Sequence, residues 1–482
     1  MGTTAAAGRR EWLGLLVLVL PTLLVALDMT ALFLALPRLS ADLGASRVQQ
    51  LWISDSYGFL VAGFVITMGT LGDRIGRRRL LLIGAAGFLL MSLVGAYSTS
   101  PELLIAARAL QGVAGATLMP STLALISNMF RDDRQRGKAI AAWATCQFAG
   151  GALGPVVAGV LLQHFWWGSV FLLSLPMLGL LLILGPFLLP EFRSPGAGRI
   201  DPGSVALSLV AVLPVVYGLK QLTVDGAHNV LLPIGAIAFG AAVGVAFVRR
   251  QLRLATPLLD LRLLRNPAFS AVLIGMVLAG IAMAGCGLLV TQYLQNVLGF
   301  GPLAAALLFC PMGIGVAIGT MTAPLLAKRL AASTAITGGL CVSVLGCVAL
   351  AFAHGGAALP LVILGITVLA LGTGPLFALG TGLVVGSVPP ERAGSAASMS
   401  ETSNYLGGSL GIAVLGAVGA AVYRLNLGGG SSSPVAFTVS LNVVGLVSAV
   451  IFAVIAVLVA TRRAQPSAKT EAAPAGSASR NS

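Results

Sequence analysis

Apolar runs of roughly 20 residues recur along the whole chain and constrain its fold more than any other feature. A run of that length crosses the hydrocarbon core of a bilayer as an α-helix. Only 9% of the 482 residues are charged and 57% are hydrophobic, so the polar surface is too small for a soluble protein. We therefore expect an all-α integral membrane protein. The first run, from Trp12 to Pro37, is too long for a signal peptide and is predicted to be the first membrane helix.

The charges, prolines and glycines that bound these runs predict about fourteen transmembrane helices. The predicted helices cover residues 12–37, 48–71, 80–98, 103–128, 137–162, 168–189, 204–222, 231–248, 268–292, 302–326, 333–353, 358–386, 396–423 and 436–460.

The basic residues lie mostly in alternate loops, where we place about 24 of the 29 lysines and arginines. Cytoplasmic loops hold the positive charge of membrane proteins, so both termini are predicted to be cytoplasmic, in a multi-pass protein of the cell membrane. Because the basic groups are scattered over many short loops, the net charge of +14 needs no nucleic-acid partner.

An internal repeat divides the chain. Residues 136–159 align with residues 393–416, and the alignment pairs Gly150 with Gly407, Gly151 with Gly408, Gly154 with Gly411 and Gly159 with Gly416. In a chain with 61 glycines, chance coincidence is the alternative explanation. Taken as a repeat, the match predicts two six-helix bundles that face each other across a central cavity, the design expected of secondary transporters.

This repeat sets the predicted domains. They are an N-terminal bundle at 1–190, two additional transmembrane helices at 191–250, a cytoplasmic interfacial segment at 251–267, a C-terminal bundle at 268–460 and a disordered tail at 461–482.

Four ionisable residues lie inside predicted helices, where a charge needs a partner or a wet cavity. Asp28, Asp55 and Arg108 are predicted to share one depth in the outer half of the membrane, and Glu401 lies in the inner half. Such carboxylates are candidate sites for protons and cations. The alternatives are a structural ion pair of Asp28 with Arg108, and simple hydration of Asp55 and Glu401 near the headgroups.

Two glycine-rich motifs are candidate moving parts. In GGALGPVVAG at 150–159, small residues predict a close helix contact and Pro155 predicts a bend; the residues of interest are Gly150, Gly151, Gly154, Pro155 and Gly159. Ordinary helix packing explains the same spacing.

In GTLGDRIGRRR at 69–79, glycines are predicted to end the second helix, and Asp73 is placed to cap a neighbouring helix N-terminus. The adjacent Asp73 and Arg74 favour a gate latch over a plain basic loop. Its candidate residues are Gly69, Asp73, Arg74, Gly76, Arg77 and Arg78.

The chain resembles the major facilitator superfamily, and within it the fourteen-helix drug:proton antiporter branch. The resemblance spans nearly the whole chain and is carried by LDMTALFLALP at 27–37, GTLGDRIGRRR at 69–79, RALQG at 108–112, GGALGPVVAG at 150–159, PLLDLRLLRNPAF at 257–269 and SETSNYLGGSLG at 400–411.

The resemblance implies a major facilitator fold and export of amphipathic, mainly cationic compounds such as dyes and quaternary ammonium antiseptics. It makes Asp28 a proton and cation site, Arg108 its relay partner, Asp55 and Glu401 additional carboxylates, and 69–79 the cytoplasmic latch. The chain departs from the family pattern in two places. The segment 307–328 carries no acidic residue, which puts transport of divalent cations in doubt, and the second-half loop 327–334 lacks an Asp-Arg pair.

The expected partners are small drug molecules, protons and the lipid bilayer, with no metal, no cofactor beyond the proton gradient, and a monomeric state. Candidate residues for the substrate cavity are Tyr57, Trp143, Phe148, Tyr293, Phe309, Phe377, Asn404 and Tyr405.

A secondary active transporter, not an enzyme, is expected, because no nucleophile and base pair is visible. The rival hypothesis keeps the fold but exports a specific neutral or anionic antibiotic or metabolite.

Overall fold

The computed structural model describes residues 7–193, 201–224, 230–254, 257, 261–354, 358–388 and 393–461, and these residues form helices and no strands. The helices are α1 Arg9–Leu43, α2 Arg47–Ile75, α3 Arg77–Ala96, α4 Pro101–Met129, α5 Asp133–His164, α6 Ser174–Leu188, α7 Pro202–Val224, α8 Leu231–Arg253, α9 Pro267–Asn296, α10 Pro302–Leu326, α11 Ala332–Ala351, α12 Ala358–Pro375, α13 Thr381–Gly386, α14 Ala393–Gly428 and α15 Ser433–Thr461.

Every predicted helix is present at its predicted place, and the differences lie at the ends. α1 has 35 residues, roughly 50 Å at 1.5 Å per residue, which exceeds the roughly 30 Å of a bilayer core. The helices extend past the apolar runs because charged residues continue the backbone hydrogen bonding beyond the hydrocarbon. Thus α8 continues to Arg253 and α15 to Thr461.

Twelve of the described helices are long and apolar enough to cross a membrane, and α5 is a thirteenth if its bent halves count as one span. The apolar part of α7, Pro202–Gly218, is shorter than a full span. The count of fourteen therefore stays a prediction, whereas the all-helical membrane architecture is clear.

Two irregular segments interrupt the pattern. The turn of 3-10 helix Trp167–Leu173 leads into α6, and the π-helical turn Leu376–Gly380 joins α12 to α13, so these two helices occupy the single predicted span 358–386. In the predicted interfacial segment, Leu261–Arg265 forms a short 3-10 helix. Residues 255–256 and 258–260 of that segment, and the predicted tail 462–482, lie outside the described residues.

The contacts divide the helices into two sets. In the N-terminal half α1 packs on α5, and α4 packs on α2 and α3; in the C-terminal half α9 packs on α14, and α12 packs on α10 and α11. The halves meet where α5 contacts α10 and where α14 contacts α2 and α4. The hydroxyl groups of Thr145 and Thr320 are 2.7 Å apart across the first of these contacts.

The pair α7 and α8 packs together as a hairpin, and α7 also contacts α2 and α14. Asp201 fastens the start of this hairpin: its carboxylate accepts hydrogen bonds from Arg250 and Ser204, both at 2.7 Å. These bonds, with the charge of Arg250, hold the pKa of Asp201 well below its usual range. The two additional helices are thus joined to each other, and α7 lies against both halves.

Candidate functional site

A buried ion pair lies in the N-terminal half. The Oδ2 atom of Asp28 on α1 is 2.6 Å from the Nη1 atom of Arg108 on α4, and the residues are 5% and 1% exposed. Two of the three residues predicted to share one depth, Asp28 and Arg108, are therefore in direct contact. Removing one partner of such a pair leaves a buried charge uncompensated, at a cost of about 3–5 kcal/mol.

Gln111, Ser92 and Phe171, which the sequence did not single out, and Tyr57, a predicted cavity residue, surround this pair. Arg108 also donates to the side-chain oxygen of Gln111 at 2.7 Å, and the Gln111 amide donates to Ser92 at 3.0 Å. The guanidinium carbon of Arg108 lies 4.6 Å from the Tyr57 ring centroid and 5.8 Å from that of Phe171. The RALQG motif contains both Arg108 and Gln111, and their three-residue spacing was the signal for this bond.

Glu401 on α14 is the opposite case. The residue is 1% exposed, and its carboxylate has no ion-pair partner among the described residues; the side-chain amide of Asn404 is its polar neighbour. The side-chain oxygen of Asn404, one turn later, is also buried and lacks a described partner. Glu401 is therefore buried, as predicted, and the alternative of simple hydration near the headgroups does not fit this burial. Asp55 on α2, in contrast, is half-buried.

Two tyrosines lie near these carboxyl groups. Tyr57 is close enough to interact electrostatically with Asp28, Arg108 and Tyr405, and Tyr405 interacts in the same way with Glu401. The Tyr57 hydroxyl is buried without a described hydrogen-bond partner. A series of ionisable groups therefore extends from the N-terminal half to the C-terminal half.

The basic motif at 69–79 is organised differently from its prediction. α2 continues through Gly69 and ends at Ile75, and the break falls at Gly76, whose φ of 110° is favourable only for glycine. The earlier glycines do not end the helix, because backbone groups at this depth gain from staying hydrogen-bonded. Asp73 accepts a hydrogen bond from the Nε atom of Arg77 at 2.9 Å, and Arg77 is 2% exposed.

Glu191, which follows α6, caps α3. Its carboxylate accepts the backbone N–H groups of Arg78 at 3.1 Å and Arg79 at 3.2 Å. The Arg77 N–H donates to the Phe192 carbonyl at 3.0 Å. The prediction that Asp73 caps a neighbouring helix is wrong for α3, because the Asp73 carboxylate is paired with Arg77.

The arginines of this motif have separate partners. Arg78 donates to the carbonyl groups of Pro186 at 3.1 Å and Leu189 at 3.0 Å, which ties α3 to the end of α6. The Nε atom of Arg74 is buried without a described partner. We name the group of Asp73, Arg77, Arg78 and Glu191 the latch. In the sequence, the only indication of a role for Glu191 is its position directly after Pro190, at the end of the sixth apolar run.

The glycine motif of α5 makes the predicted close contact, and its partner is α1. A Cβ atom built at Gly150 would lie 2.5 Å from the Leu23 carbonyl oxygen, and one at Gly154 would lie 2.9 Å from that of Leu27. Nothing lies within 4 Å of a Cβ at Gly151, so this glycine is not part of the contact. Gly159 is half-buried in the same helix.

The predicted bend is confirmed. α5 bends by 47° between its parts Arg134–Gly151 and Val156–His164, and Pro155 lies in the break.

The paired glycines of α14 repeat this contact with α9. Cβ atoms at Gly407 and Gly411 would lie 2.6 Å and 2.5 Å from the carbonyl oxygens of Val277 and Ile281. Gly408, the partner of Gly151 in the alignment, has nothing within 4 Å. The same two positions are crowded and the same one is open in both halves, which argues against chance coincidence.

The candidate cavity residues have different environments. Phe148 and Phe377 meet across the two halves with ring centroids 5.1 Å apart. Trp143 is buried and donates to Thr122 at 3.1 Å, and Tyr293 is buried beside Phe437. These last two residues are packing residues of their own halves, because local partners occupy their polar or aromatic groups.

Two further candidates lie at helix contacts. Phe309 is half-buried and lies against Gly287 of α9. Tyr405 lines a cavity of about 230 Å³ between α2, α7, α8 and α14. Among the predicted wall residues, Tyr405 is the one that this cavity contains.

Two helical halves around membrane-buried charges define a secondary transporter, not an enzyme. The sequence-family model of the Major Facilitator Superfamily matches residues 18–412 of the chain. The chain belongs to this family of membrane transporters.

Several proteins are similar to the chain along most of its length. The multidrug efflux pump LfrA of Mycolicibacterium smegmatis is 43% identical over 88% of this chain and 84% of its own. The methyl viologen resistance protein SmvA of Salmonella typhimurium is 34% identical, covering 84% and 82%. The fold is also that of the human organic anion transporter MFSD10 (TETRAN), with a TM-score of 0.64, 16% identity and coverage of 92% and 99%.

Proposed function

We propose that this chain is a multidrug efflux antiporter that exports amphipathic, mainly cationic compounds, including dyes and quaternary ammonium antiseptics, in exchange for protons. The observation that carries the proposal is the buried carboxyl group of Glu401, which has no ion-pair partner among the described residues. In apolar surroundings a carboxyl group is stable when a proton or a cation neutralises it. A carboxyl group that binds either a proton or a cation exchanges one for the other.

Asp28 supplies the coupling in this proposal. While Asp28 is ionised, its contact with Arg108 at 2.6 Å compensates both charges. A proton that arrives on Asp28 removes the attraction and releases Arg108 toward its other partners, Gln111 and the Tyr57 ring. The protonation state of Asp28 thereby determines the position of a buried positive charge, which changes the balance between conformations.

Transport follows by alternating access, in which the two halves rock around the central site. The contact of α5 with α1 and the contact of α14 with α9 keep each half rigid, and the contacts of α14 with α2 and α4 open and close. Protons enter from outside, the cation leaves, and proton loss to the cytoplasm restores the site. Each charge that crosses the membrane gains about 2.3 kcal/mol per 100 mV, so more than one proton per drug permits steep gradients.

The chain works as a monomer in the cell membrane, with both termini cytoplasmic and the latch on the cytoplasmic side. It needs no metal or other cofactor, because the proton gradient supplies the energy. The names of LfrA, a multidrug efflux pump, and of SmvA, a methyl viologen resistance protein, support the substrate range.

A susceptibility panel tests this function. Cationic dyes, quaternary ammonium antiseptics and neutral antibiotics are applied to a pump-deficient bacterial host with and without the chain, and the panel is repeated with a protonophore. We expect protection against the cations that the protonophore abolishes. Protection that persists with the protonophore contradicts proton coupling. Protection against one neutral or anionic antibiotic alone identifies the chain as an exporter of a specific product.

A further inference from the structure

The cavity at Tyr405 lies where the two additional helices meet both halves of the transporter. Its volume is about 230 Å³, and for comparison a dry apolar cavity of about 150 Å³ accepts a benzene molecule. The lining residues come from α2, α7, α8 and α14: Ala62, Ala211, Val212, Val215, Val216, Gly240, Ala241, Gly244, Thr402, Tyr405 and Leu406.

Small residues of the additional helices create this space. Gly240 lets α8 approach α7 closely, since a Cβ there would lie 2.7 Å from the Ala211 carbonyl oxygen. At Gly244 a Cβ would meet only the Ala211 methyl group, at 3.9 Å, so open space lies beside this position. The wall from α7 and α8 is entirely apolar, which suits a hydrocarbon and does not suit an ion.

The opposite wall belongs to α14 and carries the two hydroxyl groups of the cavity, those of Thr402 and Tyr405. Glu401 immediately precedes Thr402, and Tyr405 lies one helical turn, roughly 6 Å along the axis, beyond Glu401. An apolar cavity is thus adjacent to a buried carboxyl group that has no ion-pair partner among the described residues.

We propose that this cavity binds the hydrocarbon tail of an amphipathic cation whose charged group lies at Glu401. The additional helices then form part of the substrate site and select for chain length. A membrane phospholipid is the poorer occupant, because its phosphate would repel the carboxylate and its headgroup stays at the membrane surface. This inference rests on the proposed function and adds a subsite to it.

Transport of n-alkyltrimethylammonium ions, from tetramethyl to dodecyl, by the purified full chain in proteoliposomes tests the inference. For the wild type we expect KM to fall about fourfold for each added methylene group until the cavity is full. Gly244→Leu fills the cavity and should raise KM at least tenfold for the longest ions while tetramethylammonium is unaffected. Gly235→Leu is the matched control, since this glycine of α8 has nothing within 4 Å of its Cβ and lies outside the cavity.

Ala241→Phe, with Ala242→Phe as its control, provides the same test if Gly244→Leu fails to fold. An unchanged dependence on chain length in the filled variants overturns the inference alone. An equal loss for all ions, tetramethylammonium included, also overturns it and indicates a structural or lipid-binding cavity. If the wild type transports none of the ions, the proposed function fails, and the inference fails with it.

Discussion

The two halves of this transporter share one packing arrangement and differ in their charges. In each half the fifth helix lies against the first through two crowded glycines, Gly150 and Gly154 in one and Gly407 and Gly411 in the other. In the N-terminal half the buried carboxylate, Asp28, is paired with Arg108. In the C-terminal half the buried carboxyl group, Glu401, has no ion-pair partner among the described residues.

This difference separates structure from chemistry. The glycine contacts are the same in both halves because each half needs its helices in close contact to move as a rigid body. The charges differ because a paired carboxylate and an unpaired one respond differently to a proton. A proton on Asp28 breaks an ion pair, whereas a proton on Glu401 competes with a cation. Substitutions at these residues test this division of roles.

The largest effect is expected for Asp28→Asn, which should abolish efflux of every substrate while the protein still reaches the membrane. The amide cannot carry the proton, and Arg108 keeps an uncompensated buried charge that costs about 3–5 kcal/mol of stability. Dye efflux, immunoblots of membrane fractions and thermal unfolding in detergent measure these effects. Asp42→Asn, at an exposed site on α1, is the control. Wild-type efflux rates from the Asn variant would contradict a coupling role for Asp28.

Glycine substitutions test whether the halves share their packing. Gly150→Ala and Gly407→Ala should each lower stability by about 1–3 kcal/mol, because the added methyl group meets a backbone carbonyl. Gly151→Ala and Gly408→Ala are the matched controls, and we expect them to be neutral or slightly stabilising. Thermal unfolding of the four variants gives the comparison. Equal effects at the crowded and open positions would remove the packing argument for the repeat.

The sequence predicted the fold well because its signals are local. Apolar runs give the spans, and the predicted span 358–386 coincides with α12, the π-helical turn and α13. Helix ends were less accurate, since charged residues such as Arg253 continue a helix that hydropathy alone would stop.

The site was partly predictable for the same reason. A charge within an apolar run is visible in the sequence, so Asp28, Arg108 and Glu401 were found. Glu191 was missed because it lies more than a hundred residues from the helix that it caps, and only folding brings the two together. The packing of Trp143 and Tyr293 was equally invisible, because an aromatic residue in an apolar run does not reveal which neighbour it faces.

Glu401→Gln tests the unpaired side of the comparison. Transport of monovalent cations should fall at least tenfold, since attraction between unit charges in a partly desolvated site is worth a few kcal/mol. Neutral substrates should be unaffected, because they depend on apolar contacts. Stability should change little, in contrast to Asp28→Asn, since no described ion pair is lost.

Proton release on adding substrate to purified protein in weak buffer measures the role of Glu401 directly. Glu102→Gln, on the exposed start of α4, is the control. If Glu401→Gln abolished proton release for neutral and cationic substrates alike, Glu401 would be a coupling site and the proposed difference between the halves would be wrong.

The smallest effect is expected at the latch, which the N-terminal half has and the second-half loop at 327–334 lacks. Asp73→Asn and Glu191→Gln should each slow turnover a few-fold and change the balance of conformations, with dye affinity unchanged. Asp73 neutralises the buried Arg77, and Glu191 caps α3 with two backbone hydrogen bonds, a contribution of about 1 kcal/mol. Neither residue lines the described cavities.

Equilibrium dye binding and transport rates separate the two effects, and Lys328→Gln in the second-half loop should alter neither. A tenfold loss of affinity with an unchanged conformational balance would place Asp73 in the substrate site, and equal slowing by Lys328→Gln would show that the latch is not confined to one half.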